Sequence, residues 1–524
     1  VKPTTGTLRL VRLILRRDRL LIPLWVSLSA LLPIAFAGSI STLYPTAESR
    51  RQLATAVGSS PPLLALLGPI YDPGIGGITS WRMGIIPVLV GIFTLLSVIR
   101  HTRTEEEAGR RELLGSTVIG RQAGLAAALV ASLAASLVLG ILLALGMAAQ
   151  SGSLAGSVAF GLGYVAAGWI FALVGAVAGQ LTETSGAARG IAISTLAGSY
   201  LVRVAADATG VSWLTWASPF GWVQQVRPYA GERWWSLLPA LGLVIPLAWI
   251  AFALSARRDL GAGLLASAQG PAAGSVRTPL GLAWRLHRGT VIAWTMGSAA
   301  MGVVLGGLVE GMNDLMPSQM REAFIRLVGQ GSLTDAVITG FMWVFALTAA
   351  GQSIQAALRM RTEEEGLRVE PVLATATGRL RWMGSHLIYA ILGPAAMMAV
   401  AGLATGVVHG LNSGDLAGQL PRVLAGAAVQ LPAVWVTGGI AVALFGLLPG
   451  WSRATWGALV AFFLLGQLGS ILQLDQWALD LSPFTHVPRV PGGEFALLPM
   501  AWLLLAAALL VSAGLLGFRR RDLG

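Results

Sequence analysis

The feature that most constrains this chain is the repeated return of apolar stretches eighteen or more residues long, with charge confined to the gaps between them. Stretches of that length read as transmembrane helices. In lipid every backbone N–H and C=O must be bonded within the spanning structure, which leaves helices or a closed barrel. Barrel strands run about ten residues with alternating polarity, whereas these runs are longer and do not alternate. Composition agrees: 55% of the 524 residues are hydrophobic and 11% are charged, where soluble domains carry about 25% charged residues. The 66 glycines suit close helix contacts in lipid. The absence of cysteine excludes disulfides, thiolate nucleophiles and thiolate metal sites.

Twelve spans are expected. An arginine-rich amphipathic segment, Leu8 to Arg19, precedes the first, Leu20 to Ile40. That span lacks a small-residue cleavage site and reads as a retained helix rather than a signal peptide. The next spans lie near Trp81–Ile99, Gly124–Ala149, Leu154–Gln180, Gly190–Ala206 and Leu237–Leu254. A short helix is expected around Leu63 to Leu67, and a tryptophan-rich interfacial segment precedes the sixth span. The pattern then restarts at Gly289–Val309, continues with a span ending near Leu358, and ends with Gly384–His409, Val423–Leu448, Thr455–Leu472 and Phe495–Phe518. Residues 1–258 thus form a first six-helix repeat, 259–279 a Gly, Ala, Ser and Pro-rich cytoplasmic linker, and 280–524 a second repeat.

Three sequence markers recur in the same order in both halves. Arg103-Thr104-Glu105-Glu106-Glu107 matches Arg361-Thr362-Glu363-Glu364-Glu365. Ser218-Pro219-Phe220 matches Ser482-Pro483-Phe484, and Arg258-Asp259-Leu260-Gly261 matches Arg521-Asp522-Leu523-Gly524. Ordered self-similarity of this kind marks a structural repeat. An even number of spans per half makes the repeats parallel, related by an axis along the membrane normal. The fold class is therefore all-α and polytopic, with twelve transmembrane helices in two parallel six-helix repeats. With the N-terminus inside, the inner segments take 26 of the 36 basic groups and 12 of the 24 acidic groups. By the positive-inside rule both termini and both charged islands are cytoplasmic. The net charge of +12 then reflects topology, and no nucleic acid partner is expected.

The charged islands following the second span of each half are the candidate functional elements. On a helix, Arg103 and Glu107 stand four apart, as do Glu107 and Arg111, and Glu364 and Arg368. Thr104 is placed to cap a short helix with Glu105 to Glu107 in its first turn, and Thr362 repeats the arrangement. Topology needs no acidic groups there, and anionic lipid disfavours them. Two copies of the triplet suggest one kind of external surface met twice.

With these residues the chain resembles a fused, twelve-span permease of the ABC-2 (type V) exporter class, and most resembles the actinobacterial exporters of polyketide antibiotics. That resemblance implies a bacterial plasma-membrane subunit that effluxes hydrophobic drug-like or antibiotic compounds. It implies coupling helices near 103–114 and 361–373, each seated on a separate ATPase subunit. Arg103, Thr104, Glu105, Glu106, Glu107, Arg111, Arg361, Thr362, Glu363, Glu364, Glu365 and Arg368 would form those contacts. Leu8 to Arg19 would be a connecting helix, and Leu280 to Arg288 a shorter version of it. Short outer helices near Ser218–Tyr229 and Ser482–Pro491 would correspond to a re-entrant pair. Pro371 and a shorter first outer stretch set the second half apart from the first.

No G-x-x-x-x-G-K-[ST] sequence occurs and Lys2 is the only lysine. ATP and Mg are therefore expected on the partner ATPase, in two copies or as a heterodimer, with no catalytic, cofactor or metal site on this chain. No second permease copy is required, and membrane lipid and a hydrophobic small molecule complete the partners. Candidate pathway residues are Phe160, Trp169, Met342, Trp343, Phe345 and Gln352. His386 and His409 lie near opposite ends of one span, which argues against a shared metal. Lipid or polysaccharide export is the alternative cargo reading. An ion-coupled secondary transporter would call for a midspan acid, and none is evident.

Overall fold

The structure, a computed structural model, describes residues 2–59, 63–64, 67–115, 118–259, 261–264, 276, 278–315, 332–468 and 475–522. The chain forms two compact units, Val1–Gly270 and Pro271–Gly524. Eleven helices among the described residues are long and apolar enough to cross a membrane. A twelfth helix, over Thr455–Leu468, occupies the described part of the expected Thr455–Leu472 span; residues 469–472 lie outside the described residues. Most of the expected linker, residues 316–331 and part of the expected Leu63–Leu67 helix also lie outside them.

In the first unit α1 (Thr7–Arg17) packs through Ile14 against Ala127, Ala128 and Ala131. The long helices are α2 (Leu21–Leu43), α5 (Ile86–His101), α8 (Ala123–Ser151), α9 (Leu154–Leu181), α10 (Ser185–Thr209) and α13 (Leu238–Arg257). Shorter pieces join them: α3 (Ala47–Gly58), α4 (Ile75–Arg82), α6 (Arg103–Glu107), α7 (Arg110–Gly115), α11 (Ser212–Trp216) and α12 (Pro219–Gln225). The expected span from Trp81 is therefore two helices: α4 ends at Arg82, and α5 restarts beside Pro87 in its first turn, where the missing proline N–H costs no helical bond. The α8–α9 turn uses Gly152 at φ 70°, a left-handed conformation that a Cβ disfavours. Between α8 and α9, a Cβ on Gly161 would stand 2.4 Å from the Gly140 carbonyl oxygen. This is the backbone approach that small residues permit in lipid.

The second unit comprises α14 (Pro279–Leu315), α15 (Leu333–Glu365), α16 (Val369–Leu373), α17 (Arg379–Asn412), α18 (Leu416–Ala428), α19 (Leu431–Leu447), α20 (Thr455–Leu468), α21 (Gln476–Leu479) and α22 (Leu497–Arg520). Leu280 to Arg288 is not a separate connecting helix; it is the first part of the 37-residue α14. The expected Val423–Leu448 span is broken at Val429 and Gln430, with Pro432 in the first turn of α19. Pro394 inside α17 deprives the Ala390 carbonyl of its helical donor. The Ser353 hydroxyl of α15 donates to that carbonyl at 2.7 Å. Gly438 of α19 makes room, since its Cβ would sit 2.1 Å from Ser353 Oγ.

The Ser-Pro-Phe marker adopts one local design in both units. Ser218 and Ser482 each accept a hydrogen bond from the backbone N–H two residues on, at Phe220 and Phe484. Each proline takes the first helical turn and each phenylalanine is buried. The segments are a seven-residue helix in the first unit and a four-residue 3-10 turn in the second.

Candidate functional site

The repeated pentapeptide lies where several helix ends of its own unit converge. In the first unit α5 stops at Thr102, whose φ of −115° and ψ of −82° break the helix, and α6 restarts at Arg103. Thr102, not Thr104, occupies the capping position, and it makes no side-chain cap. Thr104 Oγ1 instead donates to the Ile99 carbonyl at 3.4 Å and accepts from Arg189 at 3.3 Å.

The three glutamates face three different elements. Glu105 accepts two hydrogen bonds from Arg110, at 2.7 and 3.0 Å, and another from Arg17 of α1. Glu106 takes Arg103 at 2.8 Å, Arg111, and Arg258 on both oxygens at 2.9 and 2.7 Å. Glu107 accepts the Ser185 backbone N–H at 2.8 Å, so it helps to satisfy the first turn of α10. Arg103 is 1% exposed and is fully engaged. It donates to the carbonyls of Glu183 at 2.9 Å, Gly261 at 2.7 Å and Ala262 at 3.0 Å. Arg258, directly after α13, also reaches Gln180 Oε1 at 2.6 Å. The expected pairs Arg103–Glu107 and Glu107–Arg111 are therefore replaced by Arg103–Glu106 and Arg111–Glu106. The reason is the break at Thr102: it turns Glu106 inward toward Arg258, which draws both arginines to the same carboxylate.

In the second unit the acidic triplet is not the first turn of a new helix. It is the last turn of α15, and α16 begins only at Val369. Carboxylates at a helix C-terminus oppose the macrodipole, and arginines from four directions offset them. Glu363 pairs with Arg359 at 2.9 Å and Arg368 at 2.7 Å. Glu364 pairs with Arg521 at 2.7 Å and Arg361 at 3.5 Å. Glu365 pairs with Arg361 at 3.1 Å and Arg453 at 2.7 Å. The expected Glu364–Arg368 pair gives way to Glu363–Arg368, because the chain reverses at Leu367 with φ 55°. Thr362 bonds back to the Leu358 carbonyl at 3.3 Å, within the helix.

Despite the different helix breaks, three ion pairs recur in both units. Arg103–Glu106 corresponds to Arg361–Glu364, and Glu105–Arg110 to Glu363–Arg368, at one constant offset of 258 positions. Glu106–Arg258 corresponds to Glu364–Arg521, so each triplet is tied to the Arg-Asp marker after its own sixth long helix. The hydrogen bonds that Arg110 and Arg368 donate to Glu105 and Glu363 raise their proton affinity, while burial lowers that of Arg111. Sequence reasoning missed Arg110, Arg258 and Arg521. The constant offset marked Arg110, and the recurrence of two motifs in step marked Arg258 and Arg521.

A second buried cluster lies at the same end of the second unit. His287 Nε2 and His386 Nδ1 are 2.9 Å apart, with Tyr389 stacked on His287 and Trp382 against His386. No group of three or more metal-type ligands occurs among the described residues.

The pathway candidates sit in helix-packing positions of their own units. Phe160 lines a small cavity with Tyr164 and Tyr200. The Trp169 indole donates to the Leu133 carbonyl of α8 at 3.1 Å. Met342 and Phe345 belong to the second unit's apolar core, and Trp343 stacks on Phe463. Gln352 is 1% exposed, against Gly393.

Residues 276–519 match the family described as the C-terminal domain of the multidrug efflux system permease Rv1217c. The whole chain is similar to the multidrug efflux system permease protein Rv1217c of Mycobacterium tuberculosis (strain ATCC 25618 / H37Rv). The two are 43% identical over 523 residues, covering 99% of this chain and 95% of that protein. With that identity across nearly the full length of both proteins, and with eleven helices among the described residues able to span a bilayer, this chain is a multi-pass membrane protein that belongs to the multidrug efflux permease family of Rv1217c.

Proposed function

We propose that this chain is the membrane-spanning permease subunit of an ATP-driven exporter of hydrophobic, drug-like compounds. Its two acidic triplets are hubs that pass force from separate ATPase subunits into the long helices. Both termini and both triplets face the cytoplasm in this reading, and ATP and Mg stay on the ATPase pair. The chain itself catalyses no nucleotide chemistry.

The single observation that carries the reading is the matched wiring of Glu106 to Arg258 and Glu364 to Arg521. A solvated loop needs no buried carboxylate, and an isolated buried charge is costly. A network that ties the second long helix to the segment after the sixth, and is built twice, supports rigid transmission at two equivalent places. The triplets are mostly turned inward, so the ATPase contact falls on the turns they hold. Arg110 and Glu112 are exposed in the first unit, and Leu367 is 66% exposed in the second. An ATPase cleft would receive these turns while the glutamates hold them to the bundle.

The test compares two classes of variant in co-purification and vesicle transport. Glu112→Arg with Leu367→Asp should weaken ATPase attachment with the bundle intact. Arg258→Ala with Arg521→Ala should leave attachment largely in place and reduce ATP-driven transport. Full transport by both double variants would refute the assignment.

A further inference from the structure

A cavity of about 280 Å³ lies in the first unit between α1, the charged island and the start of α8. Its walls include Leu10, Leu13, Ile14 and Ile119, and its polar lining includes Arg17, Arg111 and Arg121. Ile14 is buried against Ala127, Ala128 and Ala131 of α8, which fixes α1 as one wall. The segment before α1 is stapled to the far wall: Gly120 N–H donates to the Thr5 carbonyl and Gln122 N–H to the Pro3 carbonyl, each at 2.9 Å.

Three guanidiniums face this space against the single carboxylate of Glu105. The remaining titratable lining group, His101, is bonded to Asp18 at 2.6 Å. Arg9, Arg12 and Arg16 add positive charge on the exposed side of α1. Leu8, Leu13 and Leu15 of the same helix are 80%, 52% and 48% exposed, as expected of a helix lying at a bilayer interface. An apolar chamber with a basic rim at that depth selects a ligand that is itself apolar and anionic at one end.

We propose that this cavity is a binding site for one anionic phospholipid of the leaflet in which α1 lies. An acyl chain enters between α1 and α8, and the phosphate rests on Arg17 and Arg121. Arg17 also holds Glu105, and Arg111 also holds Glu106. Occupancy therefore bears on two arms of the first triplet's network. Both arms belong to the first unit's triplet, so the lipid acts on that unit. The site stands on its own geometry and holds whether or not the chain is ATP-driven.

The test is native mass spectrometry of the full chain in detergent with equal phosphatidylglycerol and phosphatidylcholine of identical acyl chains. One phosphatidylglycerol should be retained in preference. A basic group near anionic lipid contributes about 1 kcal/mol, so Arg17→Gln and Arg121→Gln should each cut the preference about fivefold, while Arg17→Lys keeps it. Leu13→Trp, at an exposed wall position, should lower occupancy by both lipids. On the unmodified chain, phosphatidylglycerol with a photoactivatable acyl chain should label peptides from α1 or from Ile119–Ala127. Equal retention of the two lipids, labelling spread evenly over the long helices, or displacement by glycerol phosphate alone would each overturn the proposal.

Discussion

Removing one carboxylate from each triplet should have unequal consequences, although the two are wired alike. Glu106→Ala leaves Arg103, Arg111 and Arg258 without their common counter-ion. The Arg103 and Arg258 side chains are 1% and 5% exposed, so water cannot replace the carboxylate. Breaking a buried pair by deleting one partner costs roughly 3–5 kcal/mol. Glu364→Ala takes the carboxylate from Arg521, while Arg361 keeps Glu365 at 3.1 Å; the two arginine side chains are 16% and 25% exposed. Arg521 also keeps its cation–π contacts, 4.8 Å from the Phe445 ring and 5.2 Å from that of Phe518. A more solvated pair contributes about 1 kcal/mol or less. The two variants should therefore differ by about 2–4 kcal/mol, read as denaturant midpoints of helical circular dichroism in mixed micelles. Adding Arg258→Met to Glu106→Ala should recover part of the loss, because a neutral side chain removes a stranded charge. The cycle should yield a coupling of about 0.5–3 kcal/mol. Equal losses in the two single variants, or no coupling in the cycle, would refute the claim that burial makes Glu106 the costlier carboxylate to remove.

Other outcomes follow from single contacts. Ser353→Ala leaves the Ala390 carbonyl beside Pro394 without a donor, and should cost about 1–3 kcal/mol in the same unfolding measurement. Gly446→Ala places a Cβ 2.0 Å from the Gly514 carbonyl oxygen. It should separate α19 from α22 at a cost of about 1–3 kcal/mol, read as faster amide exchange in both helices. Gly152→Ala meets no atom within 4 Å, so it should show only the left-handed backbone penalty of about 1–2 kcal/mol. Glu107→Ala removes a partner of the Ser185 N–H while Thr184 still caps Ala187 at 3.2 Å. Its effect should be limited to about 0.5–1 kcal/mol and to faster exchange in the first turn of α10.

The long helices were readable because lipid leaves an apolar run of that length few alternatives. Their ends were less so. Glu-Glu-Glu after a threonine is a first-turn signal by local preference, and in the second unit it forms a last turn. The apolar run before it propagates the helix to Glu365, and Arg359, Arg361, Arg453 and Arg521 offset the unfavourable dipole. Leu280 to Arg288 merged with its span for a related reason: no helix-breaking residue separates it from Gly289, and His287 packs against His386 across the bundle. The triplets and the Arg-Asp markers were each visible as repeats, yet recurrence shows equivalence and not contact. Only the fold brought Arg258 onto Glu106 and Arg521 onto Glu364.

The chain contains no cysteine, so single cysteines give an unambiguous test of where an ATPase meets it. Arg110→Cys and Leu367→Cys, each alone, should cross-link through a short bifunctional reagent to a co-expressed ATPase subunit. Yield should change when ATP is added, and Ser413→Cys at the opposite end of α17 should give none. Cross-linking at Ser413 with none at Arg110 or Leu367, or labelling of Arg110→Cys by a membrane-impermeant thiol reagent applied outside intact cells, would contradict the account.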